Sequence, residues 1–287
     1  MISHKRNIDI KAGYYKAYNL VKKHYENFPV VSFLLPAKIR QDVAIVYWFA
    51  RTADDYADEG KLEVSERLKK LSAFEERLKC LLNDNPGNDF EAALKNTIIN
   101  KNLSHNNFFN LLKAFKQDVT KNRYSTFSEI IDYCACSANP VGRILLELSN
   151  IRDERAFYFS DKICTALQLT NFIQDTVIDF DRGRMYYPKD EMAKFGVTEA
   201  EFEMKKNNLN LKSLIEFSVS RIQSLFDEGK SLLEFLSGRF KYEIGWTIRG
   251  GEEILNKIRG ADFDVFTRRP VLAKTDHLKI LFKSFLG

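Results

Sequence analysis

Residues that break regular structure are scarce in this sequence. It holds 13 glycines and 6 prolines in 287 residues, where average usage would give roughly 20 and 14. That scarcity excludes collagen-like, low-complexity and turn-dense all-β chains. It suits long helices, whose interiors proline disrupts by removing a hydrogen bond and clashing with the preceding turn. The 4 cysteines, Cys80, Cys134, Cys136 and Cys164, form no CxxC pair, and the 4 histidines are scattered. A zinc site of the usual spacing is thereby disfavoured, and buried free thiols in a reducing compartment are expected. No run of about 18 apolar residues occurs, so no transmembrane helix is expected. The opening MISHKRNIDIKAGYY is polar and lacks a signal-peptide core, which predicts a cytoplasmic protein. A concentrated basic tract is missing too. The net charge of +5 gives no footprint for nucleic acid but is compatible with an anionic substrate or an anionic membrane surface.

What is present supports a large core. Hydrophobic residues make up 45% and aromatics 13% of the chain, with 23 Phe and 12 Tyr. No linker or solenoid repeat divides the sequence, so one all-α domain over residues 1–287 is the economical expectation. Periodicity predicts helices near 13–27, 37–58, 62–83, 89–100, 104–121, 127–136, 140–150, 155–180, 199–207 and 211–237, and a split one near 238–259. The helices over 37–58 and 155–180 are apolar on nearly every side, which places them at the centre. Gly60 ends the first; a loop with Gly183 and Pro188 follows the second.

Both of these helices carry an acidic stripe. On the first, Tyr47, Arg51, Asp54 and Asp58 share one face; on the second, Gln168, Asn171, Asp175 and Asp179 do so. Like charges one turn apart repel, and an unpaired charge on a buried helix costs several kcal/mol. Two such pairs call for cations. Hard oxygen donors with no nearby imidazole or thiolate point to Mg²⁺, which combines a few carboxylates with water and substrate phosphates. Taken singly, each pair is also compatible with a solvated helix end.

At these residues the chain resembles the squalene/phytoene synthase family of all-α isoprenoid synthases. The two aspartate-rich motifs match as Arg51-x-x-Asp54-Asp55-x-x-Asp58-Glu59 and Gln168-x-x-Asn171-x-x-x-Asp175-x-x-x-Asp179, followed by Gly183-Arg184-x-Tyr186-x-Pro188. The resemblance spans roughly residues 12–285. Finer features resemble the hydroxysqualene synthase branch of bacterial squalene and hopanoid biosynthesis: His24-Tyr-Glu-Asn-Phe-Pro29, Ser137-Ala-Asn-Pro-Val-Gly142, Asn171-Phe-Ile-Gln-Asp175 and Arg249-Gly-Gly251. Two positions depart from the phytoene and dehydrosqualene synthase pattern. Tyr25-Glu26-Asn27-Phe28 replaces a basic, hydroxyl-rich segment, and Gln174-Asp175 replaces Arg-Asp. Two cations are thus missing, which fits a substrate arriving with one diphosphate.

The resemblance implies a helical bundle around a central apolar cavity, with the two aspartate-rich helices opposed across it. It implies Mg²⁺-dependent ionisation of presqualene diphosphate, rearrangement of the carbocation and quenching by water to hydroxysqualene. Asp54, Asp58, Asp175 and Asp179 would hold two or three Mg²⁺ ions bridging diphosphate, aided by Asp55 and Glu59, with no NADPH. Arg51, Asn171, Gln168 and Arg184 would contact the diphosphate or metal-bound water, with Arg268 or Arg269 as a further contact. Phe28 and Val141 would line the apolar wall, together with Phe172. Tyr47 and Tyr133 would direct water or stabilise a cation through the ring face. Core packing is the alternative for each of these aromatics. Companion squalene-pathway enzymes would supply and consume the ligand, and peripheral contact with the inner membrane is chemically sensible for so apolar a substrate. Two other readings share the fold. One is head-to-head condensation of farnesyl or geranylgeranyl diphosphate to presqualene diphosphate, squalene, dehydrosqualene or phytoene. The other is a non-catalytic assembly or binding protein.

Overall fold

The computed structural model describes residues 8–23, 35–58, 60, 62–83, 86–273 and 276. Among them every regular element is an α-helix or a 3-10 turn and none is a strand, so the all-α expectation holds. The chain divides into two compact units, one of residues 1–120 and 144–152, the other of 121–143 and 153–287.

In the first unit α1 (Ile10–Lys23), α2 (Arg40–Asp58), α3 (Val64–Leu82), α4 (Asp89–Asn100) and α5 (His105–Thr120) pack around α2. A 3-10 turn, Ala37–Ile39, leads into α2; its ring closes from Ile39 N–H to the Pro36 carbonyl at 3.0 Å. The first turn of the expected 37–58 helix is therefore tighter than α. The buried face of α2 is Val43, Ala44, Ile45, Phe49, Ala53 and Ala57. Phe49 meets Phe74 and Phe108, and Trp48 lies flat on Phe90 with centroids 4.6 Å apart. Burying a ring such as Phe49 contributes about 1.5–3 kcal/mol. A polar relay crosses this core: Thr97 Oγ1 donates to Asp42 Oδ1 at 2.8 Å and lies 2.7 Å from the Tyr14 hydroxyl, tying α1, α2 and α4 together.

The second unit holds α6 (Phe127–Ser137), the start of α7 (Asn139–Leu148), α8 (Glu154–Gln174), α9 (Thr176–Asp181), α10 (Lys189–Lys194), α11 (Glu199–Glu203), α12 (Leu209–Gly229) and α13 (Gly238–Gly260). The unit boundary falls inside α7. Here α8 is the hub, packed by α6, α12 and α13. The Asp153 carboxylate caps it by accepting from the N–H groups of Arg155 and Ala156. Close approach needs bare backbone at Gly251, where a Cβ would meet Phe226 at 2.5 Å and Leu167 at 2.9 Å.

Several expectations are corrected. The helix expected over 155–180 is broken at Asp175 (φ −101°, ψ 15°), which ends α8 and precedes α9. At the break the Thr176 hydroxyl bonds back to the carbonyls of Phe172 (3.2 Å) and Ile173 (2.8 Å) and also meets the Tyr187 hydroxyl (2.8 Å). The segment expected to split near 238–259 is one continuous helix, α13. The 211–237 helix stops at Gly229 and finishes as a 3-10 turn, Lys230–Glu234. Helix α10 carries no expectation from periodicity. All four thiols are free; Cys134 and Cys136 are buried as expected, while Cys164 is half-buried and Cys80 exposed. Among the described residues no helix is long and apolar enough to cross a membrane.

Candidate active site

The first stripe occupies the last turns of α2. Arg51 reaches forward along the helix to two carboxylates, with Nε 2.6 Å from Asp55 Oδ1 and Nη1 3.2 Å from Asp54 Oδ2. Asp58 is exposed at the last position of α2. Burial pushes the Tyr47 phenol above its ordinary pKa; the Arg51 guanidinium pulls it down, while Asp54 and Asp55 push it up. The phenol therefore stays protonated at neutral pH and can donate a hydrogen bond. Arg67 on α3 fixes the helix end beyond the stripe. Its guanidinium donates to the carbonyls of Leu62 (3.0 Å), Gly60 (2.9 Å) and Ala57. No periodicity announces this residue, because its contacts cross a loop.

The second stripe lies at the α8–α9 junction. Gln168 and Asn171 project from α8, with Gln168 half-buried and Asn171 exposed, and Asp175 and Asp179 are half-buried. The break in regular helix leaves the backbone register intact: Asp175 N–H donates to Asn171 O and Asp179 N–H to Asp175 O, each at 2.8 Å. Arg269, far along the chain, donates from Nε to Asp175 Oδ1. The Arg184 N–H donates to the Asp179 carbonyl at 2.8 Å, folding the Gly183 loop (φ +78°) back on α9. Arg123 braces that loop, donating to the Gly183 carbonyl at 2.6 Å while paired with Glu199 at 2.8 Å. Sequence reading missed Arg123 as it missed Arg67.

Behind Asp175 stands an aromatic cluster. Tyr133, 4% exposed on α6, lies 6.1 Å from the rings of Phe172 and Tyr186. Tyr124 completes it, 5.7 Å from Tyr186. A cavity of about 20 Å³ touches Leu169, Phe172, Tyr186 and Arg221. That is room for a water molecule, too little for a prenyl chain. Val141 is 44% exposed on α7. Phe28, the 24–29 motif containing it, and Glu59 lie outside the described residues.

Each stripe offers oxygen donors, led by its carboxylates, with no imidazole or thiolate. That set fits a hard divalent cation such as Mg²⁺. Among the described residues no group of three or more His, Cys, Asp or Glu is assembled to hold a metal. A cation there would have to complete its shell with water and ligand oxygens. The guanidinium already paired with each stripe shows that these carboxylates accept a cationic partner.

An all-α chain whose two core helices end in carboxylate pairs, backed by amides and guanidinium groups, has the build of a prenyl diphosphate synthase. The squalene/phytoene synthase family model matches residues 21–276, and the chain belongs to that family. It is an enzyme of this type, with the head-to-head class of prenyl diphosphate chemistry. It is 34% identical over 203 residues to a hydroxysqualene synthase from Zymomonas mobilis, covering 70% of this chain and 67% of that one. The crystal structure of squalene synthase HpnC from Alicyclobacillus acidocaldarius superposes with a TM-score of 0.84 at 33% identity, over 89% of this chain and 96% of that one. A dehydrosqualene synthase crystallised with a ligand shares the fold, with a TM-score of 0.85 at 23% identity over 96% of each chain.

Proposed function

We propose that this enzyme ionises presqualene diphosphate and adds water to the rearranged cation, giving hydroxysqualene and diphosphate. The observation that carries this reading is the pair of acidic stripes, each next to a guanidinium, in a chain whose relatives at 29–34% identity bear the name hydroxysqualene synthase. On this reading the chain forms one domain, and both stripes serve one substrate. Asp54, Asp58, Asp175 and Asp179 would hold Mg²⁺, with Asn171 and Gln168 hydrogen-bonding its waters or the diphosphate. Bound there, Mg²⁺ supplies the positive charge that stabilises the departing diphosphate.

The residues of this chain do the rest. The C–O bond breaks with its electron pair leaving on diphosphate, and Arg51 and Arg184 neutralise part of that charge. The ring face of Tyr133 would attract the carbocation. Tyr47, protonated, donates to the diphosphate or orients the incoming water. The water oxygen bonds to carbon and its proton leaves with the released diphosphate. A site of this kind sits in the cytoplasm or against a membrane surface, between an enzyme that makes presqualene diphosphate and one that reduces the product.

The test is product identification by mass spectrometry. Purified protein is given presqualene diphosphate or farnesyl diphosphate, each with Mg²⁺ and without NADPH. Hydroxysqualene from presqualene diphosphate is expected. Turnover of farnesyl diphosphate alone would replace this reading with head-to-head condensation, and inertness to both would favour a binding protein.

A further inference from the structure

The segment after α13 meets the second stripe through two adjacent contacts. Gln174 Nε2 donates to the Pro270 carbonyl at 2.5 Å, and Arg269 Nε donates to Asp175 Oδ1. Consecutive residues at the end of α8 thus grip consecutive residues of the segment. The segment is anchored on both sides of that grip. Upstream, Asp264 accepts from the N–H groups of Phe266 (2.9 Å) and Thr267 (3.1 Å), Val265 is buried, and Phe266 stands edge-on to Phe202. Downstream, Asp276 accepts from Ala273 N–H at 2.7 Å and pairs with Lys257 at 2.8 Å. Pro270 itself is buried. The backbone that carries Arg269 is held in place, while its side chain, 45% exposed, is free to change rotamer.

We infer that Gln174 is a positioning residue that sets Arg269 against Asp175 as a resident counter-ion, which a divalent cation must exchange when it takes that carboxylate. The inference rests on Asp175 being a cation ligand. Arg269 holds Oδ1 of Asp175, and a divalent cation on the same carboxylate repels the guanidinium, so the two compete and Arg269 gives way as the cation takes the group. Arg269 stays tethered through Pro270 after release, within side-chain reach of an anion that arrives with the cation. Gln174 suits the holding task because its amide donates to a carbonyl without adding charge beside Asp175.

Binding of Mn²⁺ alone to the full chain, followed by the electron paramagnetic resonance of the free ion, tests this without turnover. Arg269→Met is expected to bind Mn²⁺ about two- to fivefold more tightly than the wild type, the worth of an exposed ion pair. Gln174→Leu should shift affinity the same way by a smaller factor. Asp175→Asn should weaken binding, and adding Arg269→Met to it should restore nothing. If Asp175→Asn weakens binding but Arg269→Met does not tighten it, the exchange is overturned and the ligand assignment survives. If Gln174→Leu binds as the wild type does, Gln174 loses its positioning role. If Asp175→Asn changes nothing, the ligand assignment fails and the exchange falls with it.

Discussion

Phe172 and Tyr186 lie face to face, ring centroids 3.6 Å apart and planes within 4°. One belongs to α8, three positions before Asp175, and the other to the loop that follows α9. The stack ties that loop to the helix that carries the second stripe. Replacing Phe172 by Ala should cost about 3–5 kcal/mol, because the ring is buried and its removal leaves a cavity. A double-mutant cycle with Tyr186→Ala, read by urea denaturation, should return a coupling of about 0.5–1.5 kcal/mol. A coupling of zero would mean the rings merely share space.

The aspartates should separate activity from stability. Asp175→Asn is expected to lower turnover of presqualene diphosphate with Mg²⁺ by about 10²–10³, the scale of losing one electrostatic contact to developing charge. The Arg269–Asp175 pair is partly exposed, at 45% and 28%, so its loss should change stability by less than about 1 kcal/mol. Asp54→Asn should behave alike. Activity near the wild-type level in either variant would remove the cation assignment; a large fall in melting temperature would assign the residue to structure instead.

How far the sequence announces this arrangement depends on the range of the signal. Helix starts with local caps are legible: Asn88 accepts from Glu91 N–H and Thr126 from Glu129 N–H, and α4 and α6 begin where periodicity puts them. Both stripes are legible too, because an i, i+4 carboxylate pair needs only helical spacing. The break at Asp175 is not, since the contact that stands beside it, between the Thr176 and Tyr187 hydroxyls, comes from the loop beyond α9. Nor is the continuity of α13. Its glycines read locally as weak points, whereas Gly251 answers to Phe226 and Leu167 on other helices. At Gln174 the sequence shows only a cation lost; in the fold a guanidinium reaches the neighbouring carboxylate from 94 positions further on.

The relay through Thr97 should matter to the fold alone. Its hydroxyl bridges Asp42, 4% exposed, and Tyr14 in the core of the first unit. Thr97→Val keeps the shape and removes the bridge, while the Tyr14 hydroxyl keeps its bond from Asn96 and Asp42 its pairing with Lys101, so the cost should be about 1 kcal/mol, the net worth of one hydrogen bond. The denaturation midpoint should fall by that amount while product identity is unchanged. A shift in product would show that the α1–α2–α4 contact shapes the site as well.

Two thiols give the protein an alkaline limit. Burial pushes Cys134 up to about 12, with Cys164 nearby adding to the rise. Burial likewise pushes Cys164 up to about 12; Asp161 adds to the rise, and hydrogen bonds from Ser160 and the Gly142 backbone oppose it. In the unfolded chain both thiols ionise near pH 8.5–9. Below that pH both states hold the protons and the full stability is present. Above it the unfolded chain releases protons that the folded chain retains, so stability falls steadily until pH approaches the folded value near 12. Urea midpoints measured from pH 7 to 10.5 should therefore decline beyond pH 9. Cys134→Ala should flatten the decline, whatever it costs in packing at pH 7. Exposed Cys80 provides the internal control: at pH 8 it should react with a thiol reagent in the native protein, whereas Cys134 and Cys164 should react only on unfolding. Equal slopes for the wild type and Cys134→Ala would assign the alkaline loss to other groups.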